Sequence, residues 1–173
     1  MWIKMLGATL VIAATSWAGF EAAQRFQQRP RQLRELQSCL QMLETEINYG
    51  LTPLPTALEK LAEGREGPIG DFCCAVKNEL FAHQGMTMRA AWNISLDLLG
   101  KHCALTECDQ NILRNFGATL GMSDRHDQIK HLKLAMSQLA AAETSAWEEK
   151  LKNERMFRAL GILGGLAVVI LFY

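Results

Sequence analysis

Apolar side chains recur at helical intervals through the middle of the chain. After "RP" at Arg29–Pro30, Leu33, Leu36, Leu40, Leu43 and Ile47 follow at steps of three and four, which puts them on one helix face. The residue before a proline avoids helical backbone and proline suits a first turn, so Pro30 predicts a bend followed by a helix start. Gly50 predicts the end of that helix. Thr52 and Pro53 predict the cap and first turn of a second helix carrying Leu54, Leu58 and Leu61, with Pro55 completing a tight turn from Gly50. "EGREGPIG" (Glu63–Gly70), with three glycines and a proline, predicts a loop. A third helix passes through Phe72, Val76, Leu80 and Phe81 to Gly85. Thr87 opens a fourth with Trp92, Leu96 and Leu99. Thr106 with Asp109 caps a fifth containing Ile112, Leu113, Phe116 and Leu120, and Gly121 ends it. Ser123 or Asp124 opens a long sixth helix with Ile129, Leu132, Met136 and Leu139 inward, running on through Trp147. No stretch reads as a convincing strand. The pattern predicts an all-α fold, a six-helix antiparallel bundle.

The two ends break this pattern. No charge occurs from Met5 to Phe20 or from Ala159 to Tyr173. A spanning helix needs roughly 20 apolar residues. Met1–Phe20 reaches that length if Lys4 extends outward, and Met156–Tyr173 does so if Arg158 does the same. Trp2, Trp17, Phe157 and Tyr173 stand near the segment ends, where interfacial aromatics belong. The rival for the first segment is a signal peptide, with Lys4 as its basic end and "SWA" (Ser16–Ala18) as a cleavage site. Arg25, Arg29, Arg31 and Arg34 follow at once and favour retention, because such charges resist translocation. For the second, the rival is a buried terminal helix; Gly161 and Gly165 form instead a small-xxx-small step suited to packing in lipid. The division expected is a transmembrane helix at 1–24, a helical domain at 25–152 and a second transmembrane helix at 153–173.

Charge sets the expected orientation. Arginines crowd the inner side of the first segment, and Lys150, Lys152, Arg155 and Arg158 crowd that of the second, which predicts a cytoplasmic middle. The five cysteines, Cys39, Cys73, Cys74, Cys103 and Cys108, are odd in number and lack disulfide-framework spacing, which suits a reducing compartment. The formal net charge is zero over 173 residues, which speaks against a phosphate-backbone binder and predicts no nucleic-acid partner. The arginines at 25–34 read as a topology determinant and a contact for anionic lipid.

Candidate chemistry is sparse. In "SDRHDQIKH" (Ser123–His131), Asp124, Asp127 and His131 share a helix face, but His126 and His131 are five apart and diverge, unlike a zinc-protease pair. One histidine with two aspartates is more often a solvated or bundle-bracing set than a metal site. "CC" at Cys73–Cys74 and "HC" at His102–Cys103 lack metal-ligand spacing, and adjacent helical cysteines more often fill core gaps. No phosphate-binding loop or dinucleotide fingerprint is present. No cofactor, no metal and no catalytic residue is expected.

Three glycine-led segments, "INYGLTPLPTALEKLAE", "HQGMTMRAAW" and "NFGATLGMSDRHDQ", resemble the helical domain of the F-type platform protein of type II secretion and type IV pilus machines. Nearly end to end, and most clearly in "GFEAAQRFQQRPRQLRELQSCLQMLETEINYGLTPLP" and "GMSDRHDQIKHLKLA", the chain resembles the stage III sporulation protein AB family of endospore-forming bacteria. That resemblance implies a non-enzymatic platform in a channel joining mother cell and forespore, held in the mother-cell membrane around the forespore. It implies a cytoplasmic secretion-type ATPase as partner, with other channel membrane proteins, further copies of this chain and the bilayer. Within the matching motifs, Asp124, Gln128 and His131, with Arg29 and Arg34 at the membrane-proximal elbow, become candidate partner contacts. Pro30, Gly50, Pro53, Pro55, Gly85 and Gly121 become structural turns. A full platform protein has two such domains and more spans than this chain. The other reading is a membrane-tethered helical adaptor or regulator with no motor partner, with a small-molecule enzyme using the acidic–histidine face further behind.

Overall fold

The computed structural model describes residues 26–48, 54–62, 67–82, 85–121 and 124–172; side chains are described within these except at Leu54 and Ala62 and, beyond Asn153, only at Met156. All elements among the described residues are helices: α1 (26–48), α2 (Leu54–Ala62), α3 (Pro68–Ala82), α4 (Met88–His102), α5 (Glu107–Thr119) and α6 (Arg125–Phe172). The expected all-α architecture is therefore present. Gly50, Pro53 and the first predicted span lie outside the described residues. Among those that are described, no helix is long and apolar enough to cross a membrane.

The helix boundaries follow local chemistry. Thr87 has extended backbone and its hydroxyl accepts the Ala90 amide at 3.3 Å, satisfying one of the orphan donors at the start of α4. Thr106 and Asp109 form a reciprocal capping box at α5, each side chain accepting the other's backbone N–H. Asp124 caps α6, its Oδ1 accepting from Asp127 N at 2.8 Å. Gly85 and Gly121 hold positive φ, 89° and 77°, in the turns that the sequence assigned to them.

Three expectations need correction. The loop read through Gly70 ends earlier, because Pro68 opens α3 with its φ already suited to a helix and Ile69 and Gly70 are buried in the first turn. Pro30 does not start α1, which is under way at residue 26; the bias against helical backbone at Arg29 yields to that residue's tertiary bonds. Phe81 faces outward, 66% exposed, while Ile112, Ile129 and Met136 are half-buried rather than central.

The core is one cluster drawn from every helix. Leu33, Leu36, Leu40 and Leu43 of α1 meet Leu58 and Leu61, Phe72 and Val76, Trp92 and Leu96, Leu113 and Phe116, and Leu132 and Leu139 of the others. Consecutive helices from α2 to α6 pack on one another. Trp92 sits at the centre, edge-on to Phe72 at 4.8 Å and to Phe116 at 5.4 Å between ring centroids. Its indole N–H donates to the Leu113 carbonyl at 2.9 Å, so its one polar atom is satisfied. Gly117 leaves the space for this ring: a Cβ there would lie 2.2 Å from Trp92 Cδ1.

The first and last helices are antiparallel. Arg29, Arg34, Glu44 and the Ile47 carbonyl of α1 meet Glu149, Glu143, Lys133 and Arg125 of α6, so partner numbers fall as α1 numbers rise. The start of α1 and the stretch of α6 near Glu149 therefore occupy one end of the domain. The hairpin between α5 and α6 occupies the other.

Candidate functional site

The five predicted contact residues do not form a single site. Arg29 and Arg34 lie at the end where α1 begins, and Asp124, Gln128 and His131 lie at the opposite end. From Arg29 to Ile47, beside Arg125, is about 27 Å along a helix at 1.5 Å per residue.

At the first end, Arg29 is an internal clasp. Its Nε and Nη2 donate to the two Asp109 oxygens at 2.9 and 3.2 Å, and its Nη1 donates to Glu149 at 2.8 Å. The Arg29 side chain is 12% exposed and that of Asp109 1%, so little of the guanidinium is left for a partner. Burial opposes ionisation of Asp109, but bonds from Arg29 and Thr106 outweigh it and hold the carboxyl below its usual range. Three helices are thus joined at one buried charge pair. Arg34 is open, 70% exposed, with Nε donating to Glu143 at 2.9 Å. Glu143 also accepts from Gln37 and from the Trp147 indole; burial works against its ionisation, and these donors together with Arg34 lower its pKa.

At the other end, Asp124, Gln128 and His131 follow one face of the first turns of α6. Asp124 is exposed; Gln128 and His131 are half-buried. Between them Arg125 donates to the Ile47 and Asn48 carbonyls, satisfying acceptors left open at the end of α1 and placing a cation at its negative pole. The start of α6 is therefore tied to the end of α1 and carries mixed charge.

Sequence reasoning missed three of these links. The Arg29–Asp109 pair spans 80 positions, and periodicity carries no signal for that. Gln32, 7% exposed, accepts the Ala104 amide at 2.7 Å; its only trace in the sequence is a polar residue beside an apolar stripe. The Arg125 bonds to the end of α1 span 78 and 77 positions, and nothing local to Arg125 signals them.

Among the described residues, no three histidine, cysteine or carboxylate side chains gather as a metal site. None of the five cysteines forms a disulfide, and burial pushes the Cys103 thiol up, away from a reactive thiolate.

The comparisons with known proteins converge. The profile of the stage III sporulation protein AB family matches residues 4–173. The chain belongs to the stage III sporulation protein AB family. It is 40% identical over 169 residues to stage III sporulation protein AB of Bacillus subtilis (strain 168), covering 98% of each chain. A solved structure of a stage III sporulation protein AB superposes with a TM-score of 0.68 at 37% identity, spanning 72% of this chain and 98% of its own. Members of this family are sporulation proteins.

Proposed function

We infer that the chain is a two-pass membrane protein whose helical domain faces the cytoplasm and serves as a platform in a sporulation channel between mother cell and forespore. A cytoplasmic secretion-type ATPase docks on it. The observation that carries this reading is the antiparallel pairing of α1 with α6. In the sequence, Met5–Phe20 comes shortly before the start of α1, and Ala159–Tyr173 comes ten residues after Glu149, which is bonded to that start through Arg29. Two spans leaving one end would anchor the bundle upright, with the basic residues of both flanks at the inner surface. The hairpin at Asp124–His131 would then project about 27 Å or more toward the cytoplasm, where an ATPase can reach it.

Docking follows from rigidity and charge rather than from catalysis. Binding residues concentrate on turns held by a firm scaffold, and Arg125 fixes this one to the end of α1. A domain of this size offers room for one or two standard interfaces of roughly 800 Å² per side. Other channel proteins or further copies of the chain would use the flanks of the bundle.

A cytoplasm-active reporter tests the arrangement. Inserted between Glu63 and Gly67, ahead of α3, it should be active, and fused after Tyr173 it should be silent. The reverse pattern, or release of a fragment beginning near Gly19, would overturn the two-pass reading.

A further inference from the structure

Beside the Arg29 clasp, a groove of about 390 Å³ opens between α1 and α6. Gln27, Gln28, Arg31 and Arg34 line it from α1, and Trp147 and Lys150 from α6. Arg31 and Arg34 are 83% and 70% exposed. Their carboxylate partners are Glu35 at 3.4 Å and Glu143 at 2.8 Å. Lys150 Nζ stands 4.5 Å from the Trp147 ring centroid. Three cations and two amides therefore surround one opening whose wall is an indole.

These groups specify a ligand class. Guanidinium and ammonium donors beside amides recognise a phosphodiester. A half-exposed tryptophan is a side chain favoured at the headgroup level of a bilayer. Leu151, 49% exposed, adds apolar surface next to Lys150. Resting on the two-pass arrangement above, Lys150 and Trp147 stand three and six residues, about 5 and 9 Å, before a span beginning at 153, at the outer edge of a headgroup layer about 5–7 Å thick. We propose that this groove is a binding site for the headgroup of an anionic phospholipid, seated between Arg31, Arg34 and Lys150 against Trp147. The lipid holds α1 and α6 together at the membrane surface and fixes how the domain stands on it.

The test uses the full chain in detergent, with retained lipid counted by native mass spectrometry. Phosphatidylglycerol should be held in preference to phosphatidylcholine. The double variant Arg31→Gln/Lys150→Gln should lose about fivefold per cation, roughly thirtyfold in all. Lys101→Gln/Lys130→Gln, an equal charge change elsewhere, should lose nothing. Equal retention of the two lipids, or equal loss in the two double variants, would overturn the proposal. Inorganic phosphate should fail to displace the lipid at equal concentration; displacement would assign the groove to a free anion and contradict a headgroup site. Reconstitution of wild type and both variants into phosphatidylcholine nanodiscs is scored separately. Failure of the wild type to enter them counts against the two spans, whereas lipid retention in detergent reports on the groove alone.

Discussion

Replacing Asp109 by Asn tests whether one buried charge pair, with Glu149 beside it, joins α1, α5 and the middle of α6. The Asp109 side chain is 1% exposed and holds Arg29 by two bonds at 2.9 and 3.2 Å. Asn keeps one acceptor oxygen and the bulk of the side chain but removes the charge. Breaking a buried pair from one side costs about 3–5 kcal/mol, because the other charge is left without compensation. Here Glu149 remains 2.8 Å from Arg29 and its side chain is 51% exposed, so the lower end of that range applies. A loss of about 3 kcal/mol is a large share of a typical stability of 5–15 kcal/mol. At about 3 °C per kcal/mol for a domain of this size, the melting point should fall by roughly 10 °C. Circular dichroism of residues 26–153 reads this directly. The double variant Arg29→Met/Asp109→Asn should lose less than the sum of the single losses, by about 1–3 kcal/mol. A melting point within about 2 °C of wild type, or strict additivity in the double variant, would refute the assignment.

Acid should weaken the same link. Asp109 titrates below its unfolded value of about 3.9, so its contribution is full above that pH and is lost as pH falls through the folded value; the melting-point gap between wild type and Asp109→Asn should therefore narrow below about pH 4. Gly117→Ala should cost about 1–3 kcal/mol in urea unfolding, since the new Cβ meets a ring fixed by two aromatic neighbours and a hydrogen bond. Gly100→Ala is the contrast: its Cβ meets only the flexible end of Gln110, so the change should be neutral or stabilising by up to about 1 kcal/mol. Asp124→Ala should lose about 1 kcal/mol in the same assay, and Asp124→Asn, which still caps, should lose almost nothing.

The helices were legible in the sequence because each carries a local signal. Leucines at steps of three and four marked α1, and Thr87, Thr106, Asp124 and Gly121 marked helix ends through bonds that reach only a few residues. Pro68 misled because a proline after glycines serves a loop and a first helical turn equally well; only the burial of Ile69 and Gly70 decides between them. Arg29 misled for a different reason. An arginine next to a predicted span reads as a membrane or partner contact until Asp109 arrives from 80 positions away. Gly117 gave no sign of its role, since a mid-helix glycine announces a cost in helix propensity and not which ring lies over it. Local chemistry is written in neighbouring residues, whereas the separation of Arg29 and Arg34 from Asp124, Gln128 and His131 depends on the antiparallel register of α1 and α6.

The platform role is tested most directly by binding. The full chain in nanodiscs is titrated with the secretion-type ATPase of the same channel, alongside an Asp124→Asn/Gln128→Ala/His131→Ala variant that keeps the helix cap. The account predicts saturable binding to the wild type, at least about tenfold weaker (about 1.4 kcal/mol) in the variant, with melting points alike. Absence of binding to the wild type, or equal binding by the variant, would contradict it.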